Sequence, residues 1–299
     1  MSPRSRRFRS WKARLVCGLT ASLHAIRDRL RRRDPVIHLY CLCWNEARIL
    51  PFFFRHYDPL VDRYFIFDNG STDRSLALLA AHPKVTLGQF RTVRGSLIGE
   101  AREFYETIWR PSRGVADWVL IVNIDEHLHH PDGAEYFKRC SQRGITAIVA
   151  TGYEMVAAAF PDAGETLSAS ITRGVRAGHM DKLCAFRPDA VTHLNYGAGR
   201  HKAAPEGRVV YPRNRRLNLL HYKFLGGPYV VDRYAELGAR VSDADRERLW
   251  GRHYFREPGM ILKTHHRLLA TASPVPGLCG DSDGHDSAQT LAPAIEADR

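Results

Sequence analysis

Hydrophobic positions in this chain follow two alternating rhythms. Nearly continuous apolar runs rich in valine, isoleucine and aromatic residues alternate with stretches whose apolar positions recur every three or four residues. The runs predict strands over residues 36–44, 62–67, 84–90, 117–124 and 145–150. Between them, helices are predicted over residues 47–57 with Pro51 in the first turn, from the Ser71-Thr72-Asp73 cap through Leu79, over residues 100–109, and over 134–142. An uninterrupted apolar strand is buried on both faces, as in a parallel sheet. Strands alternating with helices therefore predict an α/β domain with a mainly parallel, doubly wound sheet.

After Gly152 the pattern weakens. Short β-like pieces at 182–186 and 208–211 stand among loops rich in Gly, Pro and Ala, and this half is expected to shape a second-substrate pocket. A strand over 217–224 and a helix over 231–250 follow. From Thr271 onward the chain is rich in Ser, Pro, Gly and Asp, which predicts disorder. The expected division is thus a basic arm (1–34), one α/β domain (35–270) and a disordered tail (271–299).

Composition is that of an ordinary globular protein, 44% hydrophobic and 25% charged, and no apolar run reaches the roughly eighteen residues of a membrane span. Six scattered cysteines, without a C-x-x-C spacing, point to a reduced, cytoplasmic compartment. The net charge of +12 changes the picture once it is located. Residues 1–34 hold eleven Lys and Arg against Asp28 and Asp34, a net +9, which leaves +3 for the other 265 residues. Within this arm Trp11, Leu15, Leu19, Leu23, Ile26 and Leu30 form a helical stripe flanked by cations. Such a helix fits docking on an anionic inner-membrane surface. Packing on the domain or a partner is a second reading. Nucleic acid is a third, disfavoured because no nucleic-acid module accompanies the arm.

The candidate chemistry lies at three strand ends: Asn45-Glu46, Asp68-Asn69-Gly70-Ser71-Thr72-Asp73, and Asn123-Ile124-Asp125-Glu126-His127. In a parallel sheet all three gather at the carboxyl edge, where open α/β folds bind ligands. Acids delivered there can hold a divalent cation against a phosphate.

Together these motifs resemble the family-2-like glycosyltransferases of the GT-A fold, in the bacterial branch that reads W-N-E, D-N-G-S-T-D and D-E at successive strand ends. The resemblance covers roughly residues 36–250 and is looser after Gly152. It implies transfer of a sugar from a nucleotide-diphosphate donor to an acceptor hydroxyl, on a surface polysaccharide or a lipid-linked glycan. Asn45, Glu46 and Asp68 would border the base and ribose, and Asp73 would either cap its helix or belong to the donor pocket. Asp125 would bridge through Mn²⁺ or Mg²⁺ to the pyrophosphate, with Glu126 as its partner or as a donor-sugar contact. The family's Asp-x-Asp begins here with Asn123, whose amide oxygen could ligate but brings no charge. His201-Lys202 and His221-Tyr222-Lys223 resemble elements that return basic groups to the phosphates, His221 as a third metal ligand or phosphate contact. Lys182 is either a solvated strand residue or a donor contact. If the reaction inverts, a carboxylate must take the acceptor's proton, and Glu154 and Asp181 are the candidates. Two alternatives remain. One is a nucleotidyltransferase, which would need a Gly-rich phosphate loop where Trp44-Asn45-Glu46-Ala47-Arg48 stands. The other is a catalytically degenerate membrane-docked module, of which Asn123 would be the mark.

Overall fold

The computed structural model describes residues 34–162 and 164–278. The predicted basic arm, apart from Asp34, and residues 279–299 lie outside the described residues.

The chain runs β1 (Ile37–Cys43), α1 (Leu50–Tyr57), β2 (Arg63–Asp68), α2 (Ser75–Ala81), β3 (Val85–Gln89), α3 (Leu97–Thr107), β4 (Trp118–Ile121), β5 (Glu126–His129) and α4 (Gly133–Gln142). It continues with β6 (Ala147–Val149), β7 (Thr151–Ala157), α5 (Leu167–Ser170), β8 (Arg173–Arg176), β9 (Leu183–Phe186), β10 (Val191–His193) and β11 (Glu206–Gly207). Last come β12 (Asn218–Leu225), α6 (Gly227–Ala239), α7 (Asp243–Glu247), α8 (Pro258–Thr271) and β13 (Ser273–Pro274).

The main sheet has the order β3-β2-β1-β4-β9-β6. β1, β2, β3 and β4 are mutually parallel, and β9 runs antiparallel between β4 and β6. Strand order reverses at β1, with β2 and β3 to one side and β4 to the other, which creates the crevice expected of a doubly wound sheet. The apolar runs are continuous because successive residues enter two different cores. Leu39, Cys41, Cys43, Trp118 and Leu120 pack on one face, and Tyr40, Val119 and Ile121 on the other. The fold is therefore the predicted mixed α/β, parallel-rich type. Full burial of each large side chain contributes about 1.5–3 kcal/mol.

A second sheet, β13-β8-β7-β12-β5, accounts for most departures from the expected pattern. The run over 117–124 does not end in a simple polar turn: β4 stops at Ile121, and Glu126–His129 starts a strand antiparallel to β12. Glu-His-Leu-His reads as polar, yet Glu126 and His127 are fully buried, because the new strand carries them under β12. The predicted strand at 145–150 likewise serves two sheets, as β6 gives way to β7 across Ala150 alone. Gly152 permits this half to close. A Cβ there would lie 2.4 Å from Met180 Cβ and 2.5 Å from the Met180 carbonyl.

Residues 208–211 form no strand, although Thr146 N donates to Val210 O at 2.9 Å. The helix expected over 231–250 breaks after Ala239 and resumes as the short α7, capped by Ser242 Oγ accepting from Asp245 N at 3.1 Å. Of the disordered tail expected from Thr271, residues 271–278 are described, and they are ordered. Ser273 and Pro274 pair with β8, Val275 is buried, and Asn218 donates to Pro276 O at 2.8 Å. Among the described residues no helix is long and apolar enough to cross a membrane.

Candidate functional site

The three predicted strand ends do meet at one edge of the main sheet. Asn45 sits in the left-handed region (φ 49°), which asparagine tolerates, and so turns its side chain toward the loop after β2. Its Oδ1 accepts from Thr72 N at 2.8 Å, its Nδ2 donates to Thr72 Oγ1 at 3.2 Å, and its own amide donates to Ser71 Oγ at 3.0 Å. Asp68 accepts from the amides of Gly70 (2.9 Å) and Ser71 (3.1 Å), while Gly70 (φ 76°) makes the Asn-Gly turn. Asp73 accepts from Ala47 N at 3.0 Å and from Ser75 N at 2.8 Å at the start of α2. Burial would raise its pKa, but these bonds and the Ser75 hydroxyl hold the carboxyl below its ordinary value. Asn45, Asp68 and Asp73 therefore spend most of their polar capacity knitting two loops into one floor.

Glu46 faces α6. Arg233 donates to it, and also to the carbonyls of Trp44 (3.0 Å) and Asn45 (3.1 Å) and to Glu236 (2.9 Å). Burial pushes Glu46 up to about 8; Arg233 opposes the rise and nearby Asp125 adds to it. Arg240 lies over the Trp44 ring, 4.1 Å from its centroid, and completes a basic, aromatic wall.

The centre of the edge is a relay of three side chains. His221 on β12 stands opposite Glu154 of β7 and Glu126 of β5 in the strand register. Its Nδ1 is 2.8 Å from Glu154 Oε2 and its Nε2 is 3.2 Å from Asp125 Oδ2. Asp125 is the most open of the three, its side chain 27% exposed against 11% for His221 and 12% for Glu154. Burial disfavours the imidazolium, but Glu154 and Asp125 override it and hold His221 up to about 10. Burial raises both carboxyls, and His221 more than reverses that, leaving each below its ordinary value. His179 Nε2 approaches Glu154 Oε1 at 3.4 Å. Two residues along β12, the Lys223 ammonium rests on the rings of Tyr234 and Tyr254, 4.5 and 4.9 Å from their centroids. Burial lowers it to about 8 against the pull of Glu154 and Asp125.

Four expected site residues are placed otherwise than the sequence indicates. Glu126 does not reach the open edge. It is fully buried between Lys182 Nζ (2.6 Å) and Arg200 Nη2 (2.8 Å) and accepts from Asn123 N at 2.9 Å. Burial raises its pKa, and the two cations pull it far below the ordinary range. Lys182 is accordingly neither solvated nor turned to a donor, being 3% exposed. The Asn123 amide oxygen accepts from Arg200 Nη2 at 2.9 Å and its nitrogen donates to Glu126 Oε1 at 3.3 Å, so this side chain braces the buried ion group. Asp181 accepts from Gly152 N (2.9 Å), Arg176 (2.7 Å) and Arg215 (3.0 Å), an arrangement that clamps the turn after β8. Of the two proposed bases, Glu154 alone lies at the site, and there it orients His221.

His201 and Lys202 both lie at the surface. His201 Nδ1 bonds the His179 carbonyl at 2.8 Å, and burial with Lys182 nearby lowers its pKa to about 4. Lys202 is exposed. Sequence reasoning passed over Arg200 and Arg233, which hold Glu126 and Glu46. Neither stands in a motif; one lies beside His201 in an irregular loop and the other inside a helix.

Asp125 and His221 fit a divalent cation. With Nδ1 held by Glu154, Nε2 points at the Asp125 carboxylate and would be the nitrogen left to ligate. Among the described residues no group of three or more His, Cys, Asp or Glu is placed to hold a metal. The set is thus two protein donors, which suits a cation completed by substrate phosphates and water.

No protein-family model matches the chain, and no curated protein matches it. Solved structures similar to it include S. aureus TarS 1-349 in complex with UDP-GlcNAc (8% identity, TM-score 0.41, covering 78% of this chain and 71% of that one). Glucosyl-3-phosphoglycerate synthase from Mycobacterium tuberculosis, in complex with Mn²⁺, UDP and phosphoglyceric acid, matches at 20% identity and a TM-score of 0.29, over 42% of this chain and 47% of that one. 4-Diphosphocytidyl-2C-methyl-D-erythritol synthase matches at 14% identity and a TM-score of 0.29, over 54% and 78%. Likeness this loose does not carry an activity to this chain.

Proposed function

We propose that this chain is a nucleotide-sugar glycosyltransferase of the family-2-like, GT-A type, assisted by a divalent cation. The observation that supports this best is the Asp125-His221-Glu154 relay, set beside the Asn45-Glu46 and Asp68–Asp73 loops at one sheet edge. Asp125 and His221 Nε2 would hold Mn²⁺ or Mg²⁺, with Glu154 keeping Nδ1 of His221 as the donor to itself. When bound, the cation offsets the charge that develops on the leaving diphosphate. Lys223 faces the same region and adds a cation whose proton affinity is poised near neutrality. The Trp44-Arg240 wall and the floor around Asn45, Asp68 and Asp73 border the base and ribose. Glu46, braced by Arg233, closes this pocket.

The acceptor is a glycan or lipid-linked hydroxyl compound, the chain works on the cytoplasmic side of the membrane, and transfer inverts the anomeric centre. The test is turnover against a panel of nucleotide sugars with Mn²⁺ and a membrane-extracted acceptor fraction, followed by NMR of the product. A product that retains the donor's anomeric configuration would refute inversion.

One observation favours a second reading, the degenerate binding module. Asn123 is wholly committed to Arg200 and Glu126, so the first acid of the usual pair is missing from the edge. Nucleotide binding that neither Mn²⁺ nor Mg²⁺ strengthens would favour that module over the enzyme.

A further inference from the structure

The segment between α6 and α8 carries features that the candidate site does not use. Residues 246–256 hold Arg246, Arg248, Arg252 and Arg256 against the single acid Glu247. Arg246 Nε and Arg248 Nη1 donate to backbone carbonyls of Val241 and Ala244, and none of the four arginines forms a salt bridge among the described residues. Arg246, Trp250, Arg252 and Phe255 line an open cavity of about 300 Å³, with the Arg246 guanidinium 4.6 Å from the Phe255 ring centroid. In the same segment Leu249 is 66% exposed and Phe255, in the lining, 47% exposed. Leu249 also occupies the left-handed region (φ 58°), an uncommon conformation for a leucine that here presents an apolar side chain to water.

Arginines without a carboxylate partner among the described residues, set around an open cavity, suit a phosphate group. An exposed leucine and phenylalanine six residues apart in this segment would gain nothing from a soluble anion, and they gain a great deal from an acyl layer. Aromatic and basic side chains interleaved in this way suit the headgroup level of a bilayer.

We propose that residues 246–256 form an anionic-membrane contact, in which Arg246 and Arg252 take lipid phosphate groups while Leu249 and Phe255 enter the acyl boundary. The contact uses none of the residues of the basic N-terminal arm. It adjoins the candidate site, because Tyr254 on the same turn rests against Lys223. It does not depend on the transferase reading, since vesicle binding is measured without a donor.

The test uses the full chain with vesicles of phosphatidylcholine, with and without phosphatidylglycerol. Leu249→Ser/Phe255→Ser is expected to weaken binding to the mixed vesicles by about tenfold or more. Arg246→Gln/Arg252→Gln is expected to flatten the dependence on phosphatidylglycerol content. Brominated lipid should quench the wild-type fluorescence more than that of Trp250→Phe, which reports this turn even if a double variant fails to fold. Unaltered affinity in the folded double variants, or equal quenching of wild type and Trp250→Phe, would overturn the proposal. So would saturation of the Trp250 signal by inorganic phosphate with no response to vesicles, which would make the cavity a soluble-anion site.

Discussion

At neutral pH the His221 imidazole carries a proton, because Glu154 and Asp125 override the burial that disfavours its charge and hold it up to about 10. A cation bound at Nε2 needs the lone pair that this proton occupies, so each Mn²⁺ taken up must release one proton. Apparent affinity should then rise about tenfold for each pH unit between 7 and 10, and displacement of the proton weakens binding at pH 7 by about 4 kcal/mol relative to pH 10. Glu154→Gln leaves the imidazole with Asp125 alone, so its proton affinity falls and the pH dependence levels off earlier. Without metal the sign is opposite. The raised pKa contributes stability that is complete below pH 6.5 and is lost as pH rises through 10. Titration calorimetry at pH 7.5 in two buffers of different ionisation enthalpy counts the protons directly. About one proton per Mn²⁺ is expected in the wild type. No proton release, with a dissociation constant flat from pH 7 to 9, would refute the placement of the cation at His221.

Three further outcomes follow from the surrounding structure. Lys182→Met leaves Glu126 paired with Arg200 and short of one charged hydrogen bond, and should cost about 1.5–3 kcal/mol in urea unfolding; an unchanged stability would mean that water reaches Glu126. Gly152→Ala drives a methyl into the Met180 backbone and should destabilise by about 1–3 kcal/mol, a view contradicted by an unchanged melting temperature. Glu46 is raised to about 8 by burial, so the stability it confers is fullest below its unfolded value of 4.5 and is lost as pH rises through 8. Relative to Glu46→Gln, the wild type should therefore lose stability between pH 5 and 8 in paired unfolding curves, and parallel pH profiles would show that Glu46 ionises freely.

How far the sequence could be read depended on how local the determining contacts are. The four parallel strands and the edge they share were legible, because each apolar run and each polar strand end is a contiguous signal. Asp125 and His221 could be paired through the motif resemblance, and they do approach within 3.2 Å. Glu126 could not be placed, because its burial depends on Lys182 and Arg200, which are 56 and 74 residues distant and come from irregular segments. The second sheet was hidden for a similar reason. β5 reads as polar when taken alone, and its buried face exists only once β12 covers it. Asp181 looked like a free acid because nothing nearby in sequence announces Arg215.

The claim that Asp125 and His221 form a cation-assisted donor site is tested most directly by calorimetric binding of nucleotide sugars, with and without Mn²⁺, to the wild type and to Asp125→Asn. One donor should bind the wild type in a Mn²⁺-dependent manner. The variant should lose that dependence while still unfolding in one cooperative thermal transition, since Asp125 lies at the open edge and outside the cores. Equal Mn²⁺-dependent binding by the variant, or donor binding indifferent to metal in the wild type, would contradict the assignment.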